Sequence, residues 1–103
     1  MQHKEFLMKL SKIKNIHFIG IGGVGMVGIA EMLINQGYKV SGSDLVNNSN
    51  VKRLKKLGAK IFIGHHVKNI KNCDVVVFSS AVGINNPEMK EARNQSKIII
   101  PRA

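Results

Sequence analysis

A glycine-rich turn between an apolar run and an amphipathic segment constrains the fold of this chain most. The run Ile16–Ile19 is typical of a buried β-strand, and the apolar residues of Val24–Ile34 recur at helical spacing. Between them, Gly20, Gly22 and Gly25 follow the G-x-G-x-x-G spacing. Such glycines allow a tight turn, close approach of a phosphate and close packing of helix on strand. The pattern predicts strand, turn and helix, with the pyrophosphate of a nucleotide at the helix N-terminus.

The rest of the chain repeats the alternation of strand and helix. Further strands are predicted at Tyr38–Gly42, Lys60–Ile63, Val75–Phe78 and Lys97–Ile100, and helices at Val51–Leu57 and from Asn86 to Gln95. Right-handed crossovers then favour an α/β fold, a Rossmann-like three-layer domain with a five-stranded parallel sheet in the order 3-2-1-4-5. We assign residues 16–103 to this domain. Residues 1–15 form an N-terminal extension, either a short amphipathic helix or a frayed tail.

Composition and charge narrow the classes of function. The 103 residues carry a formal net charge of +10, but the lysines are scattered without interleaved aromatic residues, so we expect no nucleic-acid partner. No apolar run is long enough for a membrane span, which predicts no membrane association. Cys73 is the one cysteine, so nothing calls for an oxidising compartment and a cytoplasmic location is expected. Neither a zinc spacing nor an ATP-binding G-x-x-x-x-G-K-[ST] loop occurs.

Polar and small residues at the carboxyl ends of two predicted strands are candidate ligand contacts. Asp44 follows the second strand, where a carboxylate can accept hydrogen bonds from ribose hydroxyls or a base N–H. A turn or capping aspartate is the alternative. Ser79, Ser80 and Ala81 follow the fourth strand, at the point where the strand order reverses. Small side chains there let a ligand approach, although a simple turn would use the same residues.

Histidines are the remaining polar candidates. His65 and His66 follow the third strand, and we expect one of them to reach a nucleoside or phosphate unless both are surface residues. His17 lies within the first strand, which favours a packed core residue over a catalyst. No nucleophile, base and acid can be assembled into a catalytic cluster. The sequence therefore predicts a domain that binds a ligand and does not catalyse a reaction.

Five segments, taken in order along the chain, are more specific than the glycine spacing. They are Ile16–Met26 with Gly28–Glu31; Gly37–Asp44; Leu57–Ala59 with Gly64 and His65; Val77–Ala81 with Asn86–Glu88; and Ile100–Ala103. Together they resemble the amino-terminal domain of the Mur ligase family, and within it the ligases that join L-alanine to UDP-N-acetylmuramate. The resemblance extends from Ile16 to Ala103, which is nearly the whole chain.

The resemblance implies that this domain binds the UDP part of UDP-N-acetylmuramate and holds no cofactor or metal itself. ATP and magnesium would act in other domains of a full-length ligase, where an acyl phosphate forms and the alanine amine attacks it. By position, the glycine turn would hold the diphosphate, Asp44 and His65 the uridine, and Ser79 with Ser80 would border the nucleotide. The full expected set is Gly20, Gly22, Gly23, Val24, Gly25, Met26, Asp44, His65, Ser79, Ser80 and Ala81.

Two departures and one rival interpretation accompany this resemblance. Val27 stands where the family often has Ser or Gly, and Val51 where it often has Thr, so hydroxyl contacts to the ligand from these positions are missing. The rival is an NAD(P)-binding Rossmann domain of an oxidoreductase or redox sensor, which the glycine turn alone does not exclude. The segment Ser41-Gly42-Ser43 before Asp44, and the lack of a hydride-transfer acid or base, weigh against it.

Overall fold

The computed structural model describes residues 12–102, which form one parallel sheet with helices on both faces. Strands β1 to β5 are Asn15–Ile19, Lys39–Asp44, Lys60–Ile63, Val75–Phe78 and Ile98–Pro101. Helices α1 to α3 are Met26–Asn35, Ser49–Lys56 and Pro87–Asn94, and a short 3-10 helix spans Val67–Ile70. The strands are hydrogen-bonded in the order β3-β2-β1-β4-β5, and each neighbouring pair is parallel. The predicted fold class and strand order are confirmed.

Element boundaries differ from the predictions at two informative places. Strand β2 continues beyond Gly42 because Ser43 and Asp44 pair with Phe62 and Ile63 of β3, so Asp44 is the last strand residue and does not follow the strand. The 3-10 helix was not predicted, since four residues are too few to show a helical period. Of the apolar residues in the predicted N-terminal extension, Phe6, Leu7 and Leu10 lie outside the described residues.

Successive side chains of a strand point to opposite faces of the sheet, so the core has two layers. The larger layer lies between the sheet and helices α1 and α2, and the smaller one lies beneath α3 and the 3-10 helix. In β1, Ile16 and Phe18 face the larger layer, and Ile19 faces the smaller one. His17, which lies between Ile16 and Phe18 in the sequence, is fully buried, so a titratable ring lies within the apolar part of β1. Its prediction as a core residue is confirmed.

The helices begin with different chemistry. The Asn48 side chain accepts a hydrogen bond from the Val51 amide and caps α2, and Asn86 accepts from the amides of Glu88 and Met89 and caps α3. Helix α1 begins at Gly25 without any side-chain cap. No helix within residues 12–102 is long and apolar enough to span a bilayer.

Candidate functional site

The glycine turn is tied to the end of the neighbouring strand β2. The amides of Gly20 and Ile21 both donate to the Ser43 carbonyl oxygen, at 2.8 and 3.0 Å. The Gly22 amide donates to Asp44 Oδ2 at 2.9 Å. Because β1 and β2 are adjacent parallel strands, these bonds hold the turn against the carboxyl edge of the sheet. The turn is therefore fixed before any ligand arrives.

The N-terminus of α1 is open to an external anion. Gly25 occupies the cap position at φ 83°, no side chain caps the helix, and its first turn contains no acidic residue. The amides of Val24 and Gly25 donate no hydrogen bond within residues 12–102. A helix N-terminus carries about half a positive charge and unpaired N–H groups. The geometry of this turn is thus suited to a phosphate group.

Two glycines of the turn are required by neighbouring side chains as well as by the backbone. A Cβ at Gly22 would lie 2.8 Å from Val51 Cγ2 and 3.0 Å from Asp44 Oδ2. A Cβ at Gly25 would overlap the Arg102 guanidinium, and its φ disfavours any other residue type. The second glycine therefore makes room for α2, and the third makes room for an arginine.

Arg102 is a charged residue of this edge that the sequence reasoning missed. Its amide donates to the Phe78 carbonyl oxygen at 3.0 Å, which continues the β4–β5 pairing by one residue. Its guanidinium lies over Gly25, at the open end of α1. The available signal was its position directly after the fifth strand, because parallel strands end at the same edge of a sheet. Arg102 adds a positive charge beside the glycine turn.

The predicted residues Asp44 and Ser79 lie on either side of the turn. Asp44 is half-buried, and besides the Gly22 amide it accepts a hydrogen bond from the Val46 amide at 3.2 Å. A carboxylate has about four lone-pair positions, so two remain for a ligand. Ser79 Oγ accepts from the Ala81 amide at 3.2 Å and keeps its own proton for another acceptor. It lies 3.9 Å from the position of a Cβ on Gly23.

The other predicted contact residues differ in their exposure to solvent. The Val24 side chain is 93% exposed, and Ser80 and Ala81 are exposed on the loop after β4. The Met26 side chain is fully buried in the larger core layer, and the Met26 amide donates to the Gly23 carbonyl oxygen. Met26 therefore lies beneath the turn and supports it. Contact of these residues with a nucleotide stays a prediction.

A buried polar cluster surrounds the carboxylate of Glu88, on the face of the sheet that α3 covers. One oxygen accepts from His17 Nε2 at 2.6 Å and from Ser43 Oγ at 2.8 Å. The other accepts from the His66 amide at 3.0 Å and from Asn69 Nδ2 at 2.9 Å. Sequence reasoning treated Glu88 only as part of a helix start. Nothing local marks it as the centre of a cluster, because its partners come from β1, β2 and the β3–β4 connection.

The two adjacent histidines have different surroundings. His65 is largely buried, and its Nδ1 lies 2.8 Å from Ser43 Oγ and 3.5 Å from a Glu88 oxygen. His66 is exposed, and its Nδ1 accepts a hydrogen bond from the Lys68 amide, which caps the 3-10 helix. The structure thus places His65 beside the strand end that carries Asp44, and gives His66 a local capping role.

Glu88 remains ionised despite its burial. Burial by itself raises the pKa of a carboxyl, but hydrogen bonds from His17, Asn69 and Ser43 outweigh it, and the pKa of Glu88 lies below its ordinary value. An unpaired buried polar atom would be costly here, and no buried side-chain nitrogen or oxygen in residues 12–102 lacks a hydrogen-bond partner. The carboxylate is a structural anion whose charge is fully used within the protein.

A cavity of about 640 Å³ opens at the opposite end of the sheet, near the first residues of β1, β2 and β3. Ligands of open parallel sheets bind at the carboxyl ends of the strands, which are at the other edge. Cys73 lines this cavity, but its Sγ donates to the Ile70 carbonyl oxygen and burial raises the pKa of its thiol. Residues 12–102 contain no group of three or more metal-ligating side chains. The glycine turn is therefore the candidate site.

Comparison with known proteins identifies the class to which this fold and turn belong. The family described as "Mur ligase family, catalytic domain" matches residues 15–103, so the chain belongs to the Mur ligase family. Among its relatives, the UDP-N-acetylmuramate–L-alanine ligase of Sulfurihydrogenibium sp. is 58% identical over 91 residues, which are 88% of this chain and 20% of that protein. The predicted family resemblance is confirmed, and the chain spans about a fifth of the relative's length.

Solved structures agree at the level of the fold. The UDP-N-acetylmuramate–alanine ligase of Thermotoga maritima superposes with a TM-score of 0.82 at 38% identity, over 87% of this chain and 21% of that one. Shikimate dehydrogenase of Aquifex aeolicus superposes with a TM-score of 0.58 at 17% identity, over 93% of this chain and 47% of that one. The second likeness concerns the fold alone, so it lends no support to the NAD(P) interpretation.

Proposed function

We propose that this chain is the UDP-binding domain of an ATP-dependent ligase that adds L-alanine to UDP-N-acetylmuramate. The observation that carries the proposal is the open N-terminus of α1, where a turn held by β2 presents free amides beside the Arg102 guanidinium. A diphosphate supplies the negative charge that this arrangement lacks. The family relatives, named as ligases of UDP-N-acetylmuramate and L-alanine, favour a uridine diphosphate as the bound nucleotide.

In this proposal, residues 16–103 are the nucleotide-binding domain, and the amides of the glycine turn together with Arg102 contact the diphosphate. Asp44 and His65, at the ends of β2 and β3, contact the uridine. Ser79, Ser80 and Ala81 border the nucleotide from β4. ATP and magnesium would be bound by parts of the longer ligase, whose relatives are about five times the length of the matched region. The domain alone would bind its ligand without turnover.

A calorimetric titration of the 103-residue chain with UDP-N-acetylmuramate, UDP and NAD tests the proposal. We expect both uridine ligands to bind at least about tenfold more tightly than NAD, because only they place a uracil between Asp44 and His65. Uridine without phosphates should bind weakly, because it leaves the helix N-terminus empty. Tighter binding of NAD than of both uridine ligands would exclude the proposal.

A further inference from the structure

The hydrogen bonds around Glu88 determine whether Ser43 and His65 act as donors or as acceptors. Glu88 is ionised, because its hydrogen bonds lower its pKa, so both of its oxygens can only accept. The Ser43 hydroxyl has a single proton, and at 2.8 Å from Glu88 Oε1 it must donate that proton to the carboxylate. The Ser43 oxygen is then left as an acceptor toward its other neighbour, His65 Nδ1, 2.8 Å away.

This assignment fixes the tautomer of His65. With Ser43 accepting, and with the second Glu88 oxygen 3.5 Å away, Nδ1 faces two acceptors and must carry the ring proton. In a neutral imidazole, Nε2 is then an unprotonated acceptor. No hydrogen bond from Nε2 is found within residues 12–102, yet no buried side-chain nitrogen there lacks a partner, so Nε2 reaches solvent. His65 thus presents an acceptor to solvent.

His65 follows β3 at the carboxyl edge of the sheet, where the nucleoside is proposed to bind. Ser43 and Asp44 are consecutive residues, and the Gly64 amide donates to the Asp44 carbonyl oxygen at 2.7 Å, which holds the His65 backbone beside Asp44. The same Ser43 carbonyl oxygen accepts from the glycine turn at 2.8 and 3.0 Å. The imidazole and the turn are therefore positioned by one residue of β2.

We infer that Glu88, acting through Ser43, is a positioning residue that holds His65 with its Nε2 lone pair outward, so that the site selects a base with a ring N–H. Uracil has such a group at N3, whereas the N3 of cytosine carries a lone pair that would face the lone pair of Nε2. The inference rests on the proposed function for the identity of the ligand. The tautomer itself follows from the protein alone and can be measured without any ligand.

The first test is the long-range ¹H–¹⁵N NMR spectrum of the ligand-free chain near pH 8, above the ordinary titration range of histidine. The His65 signals are assigned by their loss in His65→Gln. We expect Nδ1 to be protonated and Nε2 to be unprotonated. A His65 ring protonated at Nε2 would overturn the inference, whatever the chain binds.

The second test compares UDP with CDP by calorimetry in the wild type and three variants. In Glu88→Gln the amide can donate to Ser43, which frees the Ser43 proton for His65 Nδ1 and allows the other tautomer. We expect a wild-type preference for UDP of about tenfold or more, reduced severalfold in Glu88→Gln. Ser43→Ala, which removes the oxygen 2.8 Å from Nδ1, should reduce the preference as well.

Ser41→Ala is the matched control, because Ser41 lies on the same strand and face and bonds His17 Nδ1 at 2.8 Å, away from His65. It should keep the wild-type preference. Equal affinities for UDP and CDP in the wild type would overturn the inference and leave nucleotide binding standing. Binding of neither nucleotide would instead contradict the proposed function, and the NMR result would still decide the tautomer.

Discussion

Helices α1 and α3 begin at the same edge of the sheet, after the neighbouring strands β1 and β4, but their N-termini meet negative charge in opposite ways. The first turn of α3 contains Glu88, and an Asn86 cap satisfies its leading amides. Helix α1 has neither an acid in its first turn nor a side-chain cap, and the Arg102 guanidinium lies over Gly25 at its cap position. One helix end carries an anion from within the chain, and the other carries none from residues 12–102.

The two helix ends differ in whether their polar groups are already used within the domain. Glu88 links α3 to β1, β2 and the β3–β4 connection through four hydrogen bonds, so its charge stabilises the fold. Of the amides in the α1 turn, those of Val24 and Gly25 donate to no group within residues 12–102, so these two are available to a ligand. Variants at the two helix ends test this division.

Removal of the internal anion should have the largest effect. Glu88→Ala leaves His17, Ser43 and Asn69 without their buried acceptor, and we expect a loss of about 3–5 kcal/mol in the free energy of unfolding. Urea denaturation followed by circular dichroism measures it. Glu31→Ala is the control, because it breaks only a surface pair with Arg53, worth about 0–1 kcal/mol. A loss no larger than that of the control would contradict the central role of Glu88.

The same carboxylate should make stability depend on pH. The pKa of folded Glu88 lies below its ordinary value of 4.5, so its stabilising contribution is complete above about pH 4.5 and is lost as the pH falls through the lower folded value. The difference in unfolding free energy between wild type and Glu88→Gln should therefore shrink on acidification. Thermal unfolding of both proteins at a series of pH values measures this difference, and a constant difference down to the most acidic pH at which both still fold would speak against it.

Gly25→Ala should damage the α1 terminus directly. A residue with a Cβ at φ 83° costs about 1–2 kcal/mol, and the methyl group would also displace the Arg102 guanidinium. We expect lower stability together with weaker UDP binding, by denaturation and calorimetry. Gly28→Ala is the control within the same helix, because no atom lies within 4 Å of an added Cβ, and it should not destabilise the domain. Unchanged UDP affinity in Gly25→Ala would remove this helix end from the site.

Arg102→Ala should have the smallest effect and a selective one. We expect UDP affinity to fall about five- to tenfold, which corresponds to about 1–1.4 kcal/mol, with the unfolding free energy nearly unchanged. Binding of uridine, which lacks phosphates, should not change. Arg53→Ala, which removes a guanidinium 61% exposed on α2, serves as the control for net charge. Equal losses in both variants would indicate a general charge effect and not a contact to the diphosphate.

Local patterns in the sequence were sufficient for most of the fold. The third and fourth strands were predicted to the residue, since Lys60–Ile63 and Val75–Phe78 are bounded by turn residues and contain β-favouring side chains. The Asn86 cap and the proline after it also predicted the start of α3. The end of β2 was missed, because Ser43 and Asp44 lack the β-branched and aromatic side chains typical of strands and are extended by pairing with β1 and β3.

The candidate site was predicted only in part. The glycine spacing located the turn, and the predicted strand ends located Asp44, His65 and Ser79 at the same edge of the sheet. The spacing predicted Gly22 to allow the approach of a phosphate, but the structure also has Val51 and Asp44 against that position, so a side chain there would disturb α2. The side chains that contact a turn residue depend on which helix packs against the turn. Residues near the turn in the sequence do not indicate that packing.

The sequence by itself determined the alternation of strands and helices, the turn and the family, because each depends on residues close together in the chain. Only the tertiary structure decided that His17 and Glu88, 71 positions apart, share a hydrogen bond and that Arg102 lies over Gly25. These contacts arise from sheet order and register, which bring the ends of β1, β2, β4 and β5 to one edge. The physical reason is that a buried charge is stable only when it is hydrogen-bonded, and its partners here come from elements that are far apart in the sequence.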